Sequence, residues 1–251
     1  MLVPYLLKWP VPPQAISGAL ALGAFLALLV YFRHDWASII SSGLQVIIFR
    51  KRPMTLDERM PIFILISTIP AVVAWYYLHE SFYNYGSRPL FTALMLIVFS
   101  VPLWFSDSMS KKTKGMFDWN WFDSILVGLG EIFLLVTGGG RTLGAVSAGL
   151  IRNYSRETAT KFAFFVAAPI IAGSAFRHLQ SVDFHASMPA TGTSWFTFIV
   201  TIVVTFLAAL LAIGGLMRHV QRKGFGQYIV YRFLLATVVI VVFWVRSGKL
   251  F

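Results

Sequence analysis

Cysteine is absent from the 251 residues, which excludes a disulfide framework, thiolate catalysis and thiolate metal sites while leaving the redox compartment open. Charge is scarce too: 21 basic and 10 acidic residues make up 12% of the chain, about half of the quarter usual in soluble domains. Heptads, low-complexity tracts and linker-like stretches are missing as well, so a single membrane domain over 1–251 is the simplest division. What fills the chain is apolar. With 57% hydrophobic residues and a mean hydropathy of +0.73, too little polar surface remains to coat a water-soluble domain, and an ordinary cytosolic enzyme is excluded. The net charge of +11 fits loops on the cytoplasmic side and anionic head groups better than nucleic acid, so no nucleic-acid partner is expected.

Met1 to Pro13 carries one lysine and several prolines, and the apolar run behind it is too long for a signal core, so it reads as a mature terminus. Apolar runs long enough to cross a core of ~30 Å as helices lie at about Pro13 to Phe32, Pro61 to Leu78, Pro89 to Phe105, Thr158 to Phe176, Ser194 to Met217 and Gln227 to Val245. Pro70 and Pro102 fall inside two of them, which a membrane tolerates when neighbours satisfy the freed carbonyls. Ala37 to Phe49 is apolar but short and suits an interfacial helix. The region Trp121 to Ile151 is different: two short apolar stretches are split by Thr137-Gly138-Gly139-Gly140-Arg141-Thr142. Neither half spans alone, and a re-entrant hairpin with Gly138 to Gly140 at its tip is the natural reading. The expected fold is an all-α polytopic membrane protein with about six transmembrane helices plus one re-entrant helical hairpin.

Lysine and arginine number five in Arg33 to Arg59, one in His79 to Arg88, three in Ser106 to Asn120, three in Arg152 to Lys161, one in Arg177 to Thr193 and three in Arg218 to Gly226. The alternation places the loops around 50, 112, 155 and 222 on the cytoplasmic side, those around 83 and 184 outside, and both termini outside.

The chemistry concentrates in Gly128 to Thr142. Glu131 is the sole acid inside an apolar segment, where a carboxylate costs several kcal/mol unless protonated, paired or hydrated, and so marks a functional site by default. Gly138, Gly139 and Gly140 let backbone amides turn toward a ligand, and Arg141 adds a forked donor suited to phosphate oxygens. A helix starting after Arg141 would add its positive end. Together these form an anion site, with phosphate as the anion that fits best; the glycines taken alone fit close helix packing with a snorkelling Arg141 better, and Glu131 and Arg141 bring the two readings level. Elsewhere the signals are weaker. Arg232 reads as a snorkel near the start of the last span, Asp107, Asp118 and Asp123 as solvated loop faces, and Ser155 as a helix cap or a catalytic hydroxyl. The five histidines have no i, i+4 partner, so a histidine metal cluster is not expected.

Several stretches together resemble the bacitracin-resistance type of undecaprenyl-diphosphate phosphatase. Leu22 to Arg33 is similar to the family's second hydrophobic segment, Ile69-Pro70-Ala71-Val72-Val73 to its third, Gly128 through Pro169 to its second re-entrant region without a gap, and Tyr231-Arg232-Phe233 to its last helix. The resemblance covers about residues 16 to 245. It implies an inverted-repeat fold in the bacterial inner membrane, hydrolysis of undecaprenyl diphosphate to undecaprenyl phosphate and phosphate, and a place in recycling the lipid carrier of cell-wall synthesis. It also implies a divalent cation, Mg²⁺ or Ca²⁺, and leaves homo-oligomer formation open.

On this resemblance Arg141, Glu131 and Thr142 are the catalytic candidates, Gly138, Gly139, Gly140 and Arg141 bind the pyrophosphate, and Glu131 is the metal ligand. The family's loop reads Pro-Gly-x-Ser-Arg-Ser-Gly where this chain has Thr137 to Leu143, so the arginine is kept and the first serine is not. The family's Glu-x-x-x-Glu and Ser-Ser-x-Gly-His motifs do not occur in these 251 residues. Their segment should precede Ile16 by more chain than is present. Two expectations follow: a longer protein that carries the missing half-site, or a chain that binds prenyl phosphate as a carrier or flippase without hydrolysing it.

Overall fold

Among the described residues of the computed structural model, six helices are long and apolar enough to cross a membrane: Gln14–Tyr31, Leu56–Tyr77, Pro89–Met109, Arg156–Gln180, Trp195–Arg222 and Gly226–Arg246. They coincide with the six crossings that hydropathy marks out. The structure describes residues 2–9, 13–50, 52–86, 89–135, 140, 142–180 and 194–246, among which there is no strand. In chain order the helices are α1 (Leu2–Leu7), α2 (Gln14–Tyr31), α3 (Arg33–Ile48), α4 (Leu56–Gly86), α5 (Pro89–Val98), α6 (Ser100–Met109), α7 (Trp121–Glu131), α8 (Leu143–Ile151), α9 (Arg156–Gln180), α10 (Trp195–Arg222) and α11 (Gly226–Arg246).

Local chemistry sets several of these limits. Thr55 and Glu58 form a reciprocal cap at the start of α4, with the Thr55 amide donating to Glu58 Oε2 at 3.1 Å and the Glu58 amide to Thr55 Oγ1 at 3.4 Å. Pro61 then lies within the early turns of that helix instead of opening it. The expected span from Pro89 to Phe105 is a broken helix: α5 ends at Val98, and α6 resumes at Ser100. Pro102 has no N–H and its ring would clash with the carbonyl of Val98, so the ladder is interrupted one turn upstream. Ser100 Oγ donates to the Leu96 carbonyl across the break at 2.6 Å.

The chain divides into two units, one made of Met1–Val11, Phe63–Ala163 and His219–Phe251, the other of Pro12–Ile62 and Phe164–Arg218. In the second unit α2 meets α10 closely, since a Cβ on Gly23 would sit 2.7 Å from the Ile202 carbonyl oxygen. Phe32 and Trp36 pack edge-on against Phe165, at 5.4 Å between ring centroids in each case. Of α3 only Ile39 is buried, while Ile40, Leu44, Ile47 and Ile48 are exposed, as an interfacial helix requires.

In the first unit α5 packs on α11 through Ala93, Leu96, Ala236 and Val239, with Leu2 and Leu6 of α1 against them. Arg246 near the end of α11 donates to the carbonyl oxygens of Tyr5 and Leu6, which ties α1 down. Three basic loops converge in this unit. Asp107 accepts from Arg156 Nε at 2.6 Å and Nη2 at 3.1 Å and from the Phe225 amide at 3.3 Å, with Lys112 Nζ 3.6 Å away. The Lys114 amide donates to the Asn153 carbonyl and the Ser155 amide to the Lys114 carbonyl. The loops around 112, 155 and 222 therefore share one face, as the charge count requires. Asp107 is thus no solvated residue but the knot of that face.

Candidate functional site

Helix α7 has 11 residues and α8 has 9, so at 1.5 Å per residue they reach roughly 16 and 14 Å, about half of a ~30 Å core. They run as the two arms of a hairpin, the re-entrant element expected over 121–151. Their contact is a glycine pinch. A Cβ on Gly130 would lie 2.5 Å from the Gly144 carbonyl oxygen, and a Cβ on Gly144 would collide with the Gly130 carbonyl oxygen. Backbones this close exclude any side chain at either position.

The hairpin base is locked by a buried carboxylate. Asp123, fully buried, is opposed by Arg152 and accepts from the Tyr154 hydroxyl, and its own amide is capped by Asn120 Oδ1 at 3.0 Å. The Asp118 carbonyl oxygen lies 2.8 Å from the same Tyr154 hydroxyl, whose single proton the two acceptors share. Burial and the adjacent Asp123 push the Tyr154 hydroxyl above the ordinary tyrosine range, so it stays a donor. Ser67 of α4 donates to the Ser124 carbonyl at 2.7 Å, and the Trp119 indole donates to Ser124 Oγ at 3.0 Å. The expectation that Asp123 faces solvent is wrong: its partners come 29 and 31 residues later in the chain, beyond local reading.

At the other end α7 closes on Glu131. Its side chain is 1% exposed, and neither carboxylate oxygen has a hydrogen-bond partner among the described residues. A carboxylate in that state is costly unless a ligand, proton or ion meets it. Gly140 has φ +87°, the left-handed region that favours glycine, and its carbonyl accepts from the Leu143 amide at 3.4 Å. Thr142 precedes α8 without spending its side chain on a cap, and the first amides of that helix point toward the turn. Glu131 and Thr142 stand one and two residues from the Gly130–Gly144 pinch, so the fold brings both to one crossing. Gly138, Gly139 and Arg141 lie outside the described residues.

Arg232 corrects another expectation. Rather than snorkelling, it is 9% exposed inside α11 and donates from Nε to Ser100 Oγ at 2.9 Å and from Nη2 to the Leu96 carbonyl at 3.2 Å. A Cβ on Gly140 would be 3.0 Å from its Nη1. The signal nearest to it is Pro102, which marks a break in the span whose Leu96 carbonyl and Ser100 hydroxyl Arg232 serves. Ser155 resolves as a cap, accepting from the Thr158 amide at 3.1 Å. Among the described residues no group of three His, Asp or Glu side chains could hold a metal ion by itself.

Among the described residues, six apolar helices, a hairpin of half-length arms and a buried carboxylate without a hydrogen-bond partner define an all-α polytopic membrane protein. The chain belongs to the BacA family: the family model described as Bacitracin resistance protein BacA matches residues 1–238, beginning ahead of the motifs that start near residue 16. Among its relatives, an undecaprenyl-diphosphatase of Moorella thermoacetica is 30% identical over 246 residues, 98% of this chain and 89% of that protein. An undecaprenyl-diphosphatase of Pelobacter propionicus is 31% identical over 245 residues, 96% and 88% of the two chains.

Proposed function

We propose that this chain is an inner-membrane undecaprenyl-diphosphate phosphatase that returns the lipid monophosphate for another round of cell-wall synthesis. The observation that carries the reading is Glu131, a buried carboxylate without a hydrogen-bond partner among the described residues, set beside the Gly130–Gly144 pinch in a chain whose relatives bear that activity by name. In this reading the amides of Gly138 to Gly140 and the guanidinium of Arg141 hold the diphosphate and stabilise charge developing on it, donors worth ~10²–10³ in rate each. Thr142 donates its hydroxyl to a phosphate oxygen. Glu131 accepts a proton from water as that water attacks the terminal phosphorus, the bridging P–O bond breaks, and undecaprenyl phosphate leaves.

The residues present fit a divalent cation of one kind: Mg²⁺ keeps several waters and binds through one or two carboxylates plus substrate phosphates, and Glu131 offers two unpartnered oxygens. When bound there, such a cation supplies charge neutralisation on the diphosphate.

The test is phosphate release from undecaprenyl diphosphate by the purified chain, with Mg²⁺ or Ca²⁺, compared with Glu131→Gln and Arg141→Ala. Release by the wild type that falls by about 10² or more in both variants supports the assignment. Full activity in Arg141→Ala defeats the site, and lipid binding without release by a folded wild type replaces hydrolysis with carriage.

A further inference from the structure

A permanently charged side chain inside a span with a mean hydropathy of 2.2 is expensive, and Arg232 occupies such a place. Its three nitrogens are directed at two different elements. Nε and Nη2 serve the α5–α6 break, through Ser100 Oγ and the Leu96 carbonyl, and Nη1 approaches Gly140 so closely that a Cβ there would be 3.0 Å away. Gly140 has the left-handed φ of +87° that makes the turn into α8. From the far side of the same turn Phe133 stacks on Phe99, the residue at the break, with 4.9 Å between ring centroids. An aromatic pair thus joins the segment after α7 to the break, and the guanidinium that serves the break lies against Gly140.

We propose that Arg232 is a positioning residue for the phosphate turn: its planar fork ties Gly140 to the carbonyl and hydroxyl at the α5–α6 break, and so fixes where the first amides of α8 and the Thr142 hydroxyl point. A guanidinium suits this because its donors diverge in one plane and can serve two backbone segments at once, which a single ammonium cannot. Pro102 is the other half of the device. It removes the N–H that would pair with the Val98 carbonyl, and beside the break that results the Leu96 carbonyl accepts from both Ser100 and Arg232. Glycine at 140 is required by its φ of +87°, and a Cβ there would also press on Leu143 Cδ1 at 2.7 Å.

The experiment compares wild type with Arg232→Lys, Arg232→Gln and Ser100→Ala, all as the full chain in detergent or nanodiscs. Amide hydrogen exchange in peptides containing Gly140 to Leu143 reads the turn directly. Exchange there should rise about tenfold or more in both Arg232 variants, and in the same sense but less in Ser100→Ala, with α10 unchanged. Unchanged exchange at the turn in folded variants overturns the proposal, as does restoration by lysine, since charge alone would then suffice. If Arg232→Gln fails to fold, Ser100→Ala, which leaves every charge in place, decides.

The kinetic arm rests on the phosphatase reading. There Arg232→Lys should lower kcat roughly ten- to a hundredfold through misplacement of the turn, with KM changed less than about threefold. A rise in KM alone would make Arg232 a substrate ligand and overturn the positioning role. A wild type that releases no phosphate defeats the functional reading, while the exchange arm still decides the role of Arg232.

Discussion

A methyl group on Gly130 would stand 2.5 Å from the carbonyl oxygen of Gly144, so the two arms of the hairpin meet backbone to backbone. Gly144→Ala has to part them. The expected cost is about 1–3 kcal/mol of stability from overpacking, and the separation moves Glu131 away from Thr142. Thermal unfolding in detergent and phosphate release measure the two effects; an alanine variant with wild-type behaviour in both would show that the arms can slide apart freely.

The hairpin base makes a second prediction. Asp123 is fully buried and opposed by Arg152, whose side chain is 34% exposed. Asp123→Ala strands that guanidinium and the Tyr154 hydroxyl together, for a loss of roughly 3 kcal/mol, the low end for a broken buried pair because Arg152 retains some water. Tyr154→Phe removes one neutral donor and should cost about 1–2 kcal/mol. Denaturation midpoints of the two variants check the order.

Tyr154 also carries a pH dependence. Its hydroxyl is raised above the ordinary value of 10.0 by burial and by Asp123, so between the unfolded and folded values the native state holds a proton that the unfolded chain has released. Stability contributed by this group is complete below about pH 10 and declines as pH rises further. Melting temperatures taken upward from pH 9 should fall for the wild type, and the fall should be shallower in Tyr154→Phe.

Asp107 joins three loops. Asp107→Asn keeps the size of the side chain but weakens both Arg156 contacts and the pairing with Lys112. Limited proteolysis at residues 110–115 and 222–225 should accelerate severalfold, at a stability cost of about 2 kcal/mol for charged hydrogen bonds that are partly buried. Ser155→Ala, which removes only the cap of α9, should cost about 1 kcal/mol.

The crossings were legible because each is a run of apolar residues longer than any soluble helix needs, and the hairpin because a glycine run cut an apolar region into pieces too short to span. Glu131 was legible for the same reason, as an acid where hydropathy forbids one. Asp123 and Arg232 were not. Asp123 sits among aromatic and polar residues that look like a loop edge, and its burial is created by Arg152 and Tyr154 from the next arm. Arg232 resembles any basic residue near a helix end until the break beside Pro102, in a distant span, is known to hold the Leu96 carbonyl and Ser100 hydroxyl it serves. Pro102 lies within its span as hydropathy places it, and the helix breaks one turn before it.

The short arms of α7 and α8 have a further consequence. Both leave and return to the face where the basic loops meet, and neither reaches across. The hairpin is thus anchored from that one face and not from the other. Turnover would therefore be sided: the same lipid presented from the opposite leaflet of a sealed vesicle would wait until something turned it over.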